Sequence, residues 1–327
     1  MKVWVCTSPG QDLVEETRPE PAADGAEVLI RVEACGVCRT DLHVRDGELP
    51  DIPYPIVPGH QVVGKVVEAG TDSPITAGER VGVAWLGWTC GECAYCVTNQ
   101  ENLCNAARFH GYHIDGGYAE YMRADARYCF VLDARLPTAT TAPLLCAGLI
   151  GFRSLRLAGD ARHIGLYGFG SAAHIVTQVA IHAGQEVYAF TSPGDEQAQR
   201  FARELGATWA GGSDETAPGE LDAALIFAPV GSLVPKALKD IRKGGSVVCG
   251  GIHMSDIPSF PYADLWGERV IRSVANLTRQ DGHDFMALAA EGFLTPQVTT
   301  YPLADANRAL HDLKDGNVNG SAVLVVD

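Results

Sequence analysis

The chain of 327 residues is 46% hydrophobic and 20% charged, a balance that fits a packed globular protein and excludes a disordered one. Its formal net charge of -15 disfavours a nucleic-acid partner or an anionic membrane surface. The opening "MKVWVCTSPG" lacks the charged-then-apolar order of a signal peptide, and no apolar run reaches the ~18 residues of a membrane span, so a cytoplasmic protein with reduced thiols is expected.

The first half is rich in Gly and Pro and carries short β-rich runs, "EVLIRVEACG" (27–36), "VVGKVVEAG" (62–70) and "RVGVAWLG" (80–87). Turn signals such as "PYPIVPG" and "SPITAGE" separate them, which predicts a mostly β domain. The apolar stretch 142–152 is too short to span a bilayer and reads as a buried helix. Near residue 146 the pattern changes to strand–helix alternation. "HIGLYGFG" (163–170), "EVYAFTS" (186–192), "LDAALIFAP" (221–229), "SVVCGG" (246–251) and "VIRSVAN" (270–276) read as strands. "SAAHIVTQVAIHAG" (171–184), "DEQAQRFARELGA" (195–207) and "LVPKALKDIRKGG" (233–245) read as helices. Such alternation implies a parallel sheet with crossover helices. The tail predicts two helices, 283–292 and 306–316, and a last strand at 321–327 that returns to the first domain.

Between the first strand and helix of this half, "GFGSAA" (168–173) matches G-x-G-x-x-A, the dinucleotide fingerprint with alanine in third place. Gly168 permits the tight turn, Gly170 lets the backbone approach a pyrophosphate, and Ala173 keeps the helix against the sheet. The amides from Ser171 onward then face the phosphates. The adenosine ribose is read about twenty residues further on, at Thr191 or Ser192. No Asp or Glu stands there to accept from a 2′-hydroxyl, which favours NADP(H) over NAD(H). No basic residue follows at once, however, and Asp195 and Glu196 lie close by.

"TCGECAYCVTNQENLC" (89–104) places Cys90, Cys93, Cys96 and Cys104 at C-x2-C-x2-C-x7-C spacing. Disulfides suit a reduced compartment poorly, a redox pair needs only two of the four, and an iron–sulfur run lacks its C-P ending. Four thiolates on one compact loop close a tetrahedron around Zn2+, which is the reading adopted. Such a closed site leaves no position for substrate. Catalysis by metal needs a second, open site, for which Cys38 in "GVCRTDLH", His60 in "PGHQVVG" and Cys146 in "PLLCAG" are candidates. From spacing alone this set stays open: a lone Cys is usually a small core hydrophobe, and Cys35 with Cys38 forms a rival C-x-x-C pair.

"GVCRTDLH", "PGHQVVGKVVEAG", "GERVGV", the four-cysteine lobe, "DGGYAEY", "PLLCAG" and "GFG" follow one another in the order found in zinc-dependent alcohol dehydrogenases of the medium-chain dehydrogenase/reductase superfamily, which the chain resembles over essentially its whole length. The resemblance implies a GroES-like, mostly β catalytic domain at 1–147 and 281–327, its zinc lobe at about 88–106, and a Rossmann domain with a doubly wound parallel sheet at 148–280. The active site is then expected in the cleft. By the same resemblance Cys38, His60 and Cys146 hold a catalytic zinc and the four-cysteine lobe a structural one, two per chain. Asp41 orients His60, Thr40 takes the substrate hydroxyl proton, His43 passes it to solvent, and Arg39 meets the coenzyme pyrophosphate. The implied reaction moves hydride between an alcohol and NAD(P)+, and the implied assembly is a homotetramer or homodimer.

The chain departs from the family pattern in places. Gln61 replaces the usual Glu after the ligand His, and Ile150 replaces a Thr near the nicotinamide. "HVRDGELP" puts Arg45 and Leu49 where relatives carry two tryptophans, so a roomier pocket for medium-chain or aromatic substrates is expected, walled by Trp85 with Phe109, His110 and Tyr112 as further candidates. Two other functions compete: a non-catalytic NAD(P)H-sensing zinc protein, and a zinc-free quinone reductase.

Overall fold

A computed structural model describes residues 1–326, which fall into two compact units. One joins Met1–Leu149 to the segment from Asn276 onward; the other is Ile150–Ala275. No helix among the described residues is long and apolar enough to cross a membrane.

The first unit is built on a seven-stranded sheet. Its longest strand, Glu27–Val37, pairs antiparallel with Val62–Ala69 on one side, and with Tyr121–Asp125 and then Ser321–Val325 on the other. Arg80–Val83 and Cys129–Val131 extend it beyond Val62–Ala69. The β-branched and apolar residues Val28, Ile30, Val32, Val62, Val66, Val81 and Val83 are at most 2% exposed and form its core. The last strand does return here, pairing Val325 with Ala34 and Ala322 with Val37.

This register positions chemistry. Cys35 lies opposite Val62, and Gly36 N–H donates to the carbonyl of Gln61 at 2.9 Å. The chain leaving one strand at Cys38 and the chain entering its neighbour after His60 therefore sit at the same end of the sheet. Cys146 arrives from a third direction, between a 3-10 turn at Ala142–Leu145 and the helix Ala147–Leu157. Leu145 anchors it by packing so closely on Gly82 of Arg80–Val83 that a Cβ on that glycine would lie 2.6 Å from the leucine methyl. The buried helix expected at 142–152 is thus split, and the split aims the Cys146 backbone.

The second unit is a six-stranded, all-parallel sheet in the order Trp209–Gly212, Glu186–Thr191, His163–Tyr167, Leu221–Ile226, Ile241–Cys249, Val270–Ser273. Chain direction across the sheet reverses beside His163–Tyr167, the switch point at which ligands bind in such sheets. Helices Ser171–His182, Glu196–Glu204 and Leu233–Asp240 are the crossovers. The third ends earlier than its sequence suggests. Ile241–Cys249 is already strand, because Gly244 takes a left-handed φ of 73° and two adjacent glycines cost a helix ~1 kcal/mol each. The strands Trp209–Gly212 and Val298–Pro302 were not legible in the sequence: the first is half glycine and the second ends in proline, both weak strand signals.

Candidate active site

Cys38, His60 and Cys146, separated by up to 108 residues in sequence, bring one ligand atom each to within 4.8 Å of one another. The Cys38 Sγ to His60 Nε2 distance is 3.2 Å. A tetrahedral zinc with bonds of about 2.0–2.3 Å sets its sulfur and nitrogen ligands about 3.5 Å apart, so the group fits such an ion. Three protein ligands leave the fourth position for water or substrate.

The ring of His60 is oriented from behind. Its Nδ1 lies 3.2 Å from Asp41 Oδ1, and both residues are 1% exposed. Asp41 is itself fixed, because Oδ2 accepts from Cys38 N–H at 2.8 Å and Oδ1 from Gly59 N–H at 3.2 Å. With Nδ1–H directed at the carboxylate, Nε2 is left to coordinate. Gly59 is needed for this loop: its φ is +100°, and a Cβ would lie 2.5 Å from the Tyr118 ring. The hydrogen bond to Cys146 and then burial push the Cys38 thiol well above the usual thiol range. Burial opposes charging of His60, yet Asp41 and Cys38 together outweigh it and hold the imidazole well above its ordinary value. A divalent cation must displace these protons, since its ligands bind as thiolate and neutral imidazole. Cys35 is fully buried, its pKa raised well above the thiol range first by burial and then by Asp41, and it donates to Gly36 O at 3.6 Å, which is the packing role expected of it.

Cys90, Cys93, Cys96 and Cys104 form the second group. Their sulfur contacts of 3.5 Å (Cys93–Cys96), 3.6 Å (Cys104–Cys90) and 3.9 Å (Cys90–Cys96) bracket the ~3.8 Å edge of a tetrahedral Zn–thiolate site. A supporting network reaches outward from it. Thr89 Oγ1 lies 3.4 Å from Cys96 Sγ and 2.7 Å from the hydroxyl of Tyr128. The guanidinium of Arg279 sits over the Tyr128 ring and 3.3 Å from the buried Glu101, inside the lobe. Sequence reading missed Thr89, Glu101 and Tyr128, since no spacing rule links positions so far apart.

At the nucleotide turn, Gly168 has φ +91°, and a Cβ there would meet Ala228 N at 2.7 Å. Gly170 faces open space, with nothing within 4 Å of where its Cβ would be. It is also the N-cap of Ser171–His182 and supplies no side-chain cap, and the first turn of such a helix is where phosphate oxygens bind in glycine-turn nucleotide folds. Ala173 is fully buried against the sheet. The residues therefore fit a dinucleotide pyrophosphate. Thr191 is placed differently from the expectation of a ribose contact. It is 2% exposed, and its hydroxyl donates to Ser192 O at 3.0 Å and accepts from Gln199 Nε2 at 3.2 Å, which leaves Ser192 as the exposed member of the pair.

Arg39, Thr40 and His43 all lie on the helix Arg39–Asp46 that starts at Cys38. Arg39 is exposed, and Thr40 and His43 are half-buried, three residues apart on one face. Beside His60 stands an aromatic wall: the Trp85 and His60 ring centroids are 6.4 Å apart, and Trp85 stacks on Phe109 at 4.1 Å, with Tyr112 next at 6.3 Å. His110 is buried with Nδ1 on Ala84 O at 2.9 Å, and burial holds its pKa down to about 4. Leu49 and Ile150 are half-buried. Arg45 is 4% exposed, with Nε on Asp46 at 2.8 Å and its carbonyl accepting from Gly10. Gln61 is 2% exposed and wedged against Gly36, and its amide nitrogen has no hydrogen-bond partner among the described residues.

Residues 24–134 match the family model for the alcohol dehydrogenase GroES-like domain. The chain is 43% identical to a probable alcohol dehydrogenase, AdhA, of Mycobacterium tuberculosis, over all of this chain and 97% of that protein. Among solved structures it resembles AibC, with a TM-score of 0.92 at 30% identity over 100% of this chain and 96% of that one. It also resembles acetophenone reductase of Geotrichum candidum, solved with NAD, with a TM-score of 0.88 at 28% identity over 99% and 96%. The chain belongs to the zinc-dependent alcohol dehydrogenases of the medium-chain dehydrogenase/reductase superfamily, with their GroES-like domain and parallel-sheet nucleotide fold.

Proposed function

We propose that the protein oxidises alcohols and reduces the matching aldehydes or ketones, using two zinc ions per chain and NADP(H) in preference to NAD(H). The observation that carries this reading is the convergence of Cys38, His60 and Cys146 on one point with Asp41 behind the imidazole. When bound, zinc supplies Lewis acidity toward the substrate oxygen, and the nicotinamide takes up or gives back the hydride. Two thiolates and a neutral imidazole leave that centre formally neutral, so its pull on an oxygen is undiminished by surplus ligand charge. Asp41 keeps His60 in the coordinating tautomer. Thr40 receives the hydroxyl proton and hands it to His43, whose partly exposed ring delivers it to water. Within the nucleotide unit the amides at Ser171 hold the pyrophosphate, with Gly168, Gly170 and Ala173 shaping the turn, and the role of Arg39 toward that group rests on the resemblance alone.

The coenzyme preference is supported by the absence of an acid at Thr191 and Ser192. Asp195, the nearest acid after them, spends its carboxylate capping its own helix, accepting from Ala198 N–H at 3.0 Å. The stacked Trp85, Phe109 and Tyr112, and Leu49 in place of an indole, favour aromatic or medium-chain substrates, and acetophenone reductase acts as an analogue with an aromatic ketone. Ten cysteines without a disulfide among them agree with a reducing cytoplasm, and the homotetramer or homodimer rests on the resemblance alone. Metal analysis of purified protein, followed by a panel of alcohols and carbonyls with NADPH and NADH, tests the reading. It expects about two zinc per chain and alcohol-dependent change in nicotinamide absorbance. Zinc-free protein that reduces quinones would overturn it in favour of a quinone reductase, and coenzyme binding without turnover would favour a sensor.

A further inference from the structure

We propose that Glu48 is the positioning residue of the proton relay, holding His43 in the tautomer that can accept the substrate's proton. The inference rests on His43 as the relay base. The helix Arg39–Asp46 ends at Gly47, whose φ of 75° reverses the chain. Gly47 N–H bonds back to Val44 O and Glu48 N–H to His43 O at 2.9 Å, so the residue after the cap folds onto the last turn. Its carboxylate then lies 2.5 Å from His43 Nδ1. Only glycine suits this corner, since a Cβ on Gly47 would also lie 2.7 Å from Pro9 Cβ.

The chemistry follows from what each atom can do. An ionised carboxylate only accepts, so Nδ1 of a neutral His43 must carry the hydrogen, and Nε2 carries the lone pair. Without Glu48 the two neutral tautomers compete, and the wrong one offers a proton where one must be taken up. As the alcohol gives up its carbon-bound hydrogen with both electrons to the nicotinamide, its hydroxyl proton passes through Thr40 to Nε2 of His43. The imidazolium so formed is paired with Glu48 until Nδ1 or Nε2 returns the proton to water. Glu48 is about half exposed and His43 mostly covered, so the pair also marks the way out to solvent. No spacing rule pointed to Glu48; the glycine stop signal after "RD" was the one available hint.

The test uses the zinc-loaded protein and three variants. Nitrogen-15 NMR of histidine-labelled protein, with the His43 signal identified by its loss in His43→Gln, should show the Nδ1-protonated tautomer. Glu48→Ala should mix the tautomers, while Glu48→Gln, whose amide oxygen still accepts, should largely keep the native one. Turnover of Glu48→Ala should fall about 10-fold with KM little changed, the usual cost of losing an orienting partner, and should recover as the concentration of an imidazole buffer is raised. An unchanged tautomer in Glu48→Ala, or a loss of turnover that added buffer does not restore, overturns the proposal. If the native protein turns over no alcohol, the functional reading fails on its own, and the NMR comparison still decides what Glu48 does to His43.

Discussion

Glu101 gives the sharpest test of how the metal lobe is held. It lies between Cys96 and Cys104, is 3% exposed, and accepts from Arg279 N–H at 2.8 Å and Arg279 Nε at 3.3 Å across 178 residues of sequence. Arg279 opens the helix Arg279–Ala289, so the carboxylate satisfies an otherwise unpaired first-turn amide and sits at the positive end of the helix dipole. Glu101→Gln keeps the shape and removes the charge. Hydrogen bonds to a charged group contribute about 1.5–3 kcal/mol, against roughly 1 for a neutral one, so the net loss should be about 1–2 kcal/mol. That should lower the thermal midpoint of the unit by a few degrees, at about 2–4 °C per kcal/mol for a unit of this size. The loosened lobe should also surrender its metal to a chromogenic chelator several times faster than the native protein, while release from the Cys38–His60–Cys146 centre keeps its rate. A variant with native midpoint and native release at both centres would show that the contact contributes nothing, and that Thr89 and Tyr128 alone support the lobe.

Other substitutions probe separate links. Gly168→Ala should destabilise the fold by about 1–2 kcal/mol through its left-handed φ and the clash with Ala228, and should weaken coenzyme binding; Gly170→Ala, open to solvent, should weaken coenzyme binding about 10-fold with native stability, both read by coenzyme fluorescence and melting. Burial would raise the pKa of Asp222, but Arg242 and the amides of His163 and Arg162 outweigh it and bring it from the ordinary 3.8 down to about 2. A depressed carboxylate stabilises the fold above its unfolded value and loses that contribution as pH falls. Asp222→Asn should therefore cost about 1–2 kcal/mol at neutral pH, with the gap to the native protein closing between about pH 4 and pH 2 in denaturant titrations. Cys146→Ser should abolish turnover and halve the zinc content with the circular dichroism spectrum intact, whereas Cys93→Ser should chiefly lower stability, because it opens the closed lobe.

Much of the architecture was legible because its signals are local. Strand–helix alternation with a glycine turn at 168–170 announces a parallel nucleotide sheet, since period and backbone freedom are properties of a few consecutive residues. The four-cysteine lobe is equally local: Cys90, Cys93, Cys96 and Cys104 lie close enough in sequence that one loop brings them together. The open centre was different. Cys38, His60 and Cys146 were candidates by residue type, and a resemblance to relatives was needed to group them.

What grouped them in space was the pairing of Glu27–Val37 with Val62–Ala69 in one register, together with the packing of Leu145 on Gly82. A register slip of one residue would carry Cys38 away from His60 without changing any local propensity. The same holds for Glu48 on His43, Glu101 on Arg279, and the inward turn of the Thr191 hydroxyl. By itself the sequence determined which segments become strands, helices and thiolate loops, because those follow from neighbours along the chain. The tertiary structure decided which side chains meet, because sheet register, cap geometry and side-chain direction are set by contacts between residues that the sequence keeps far apart.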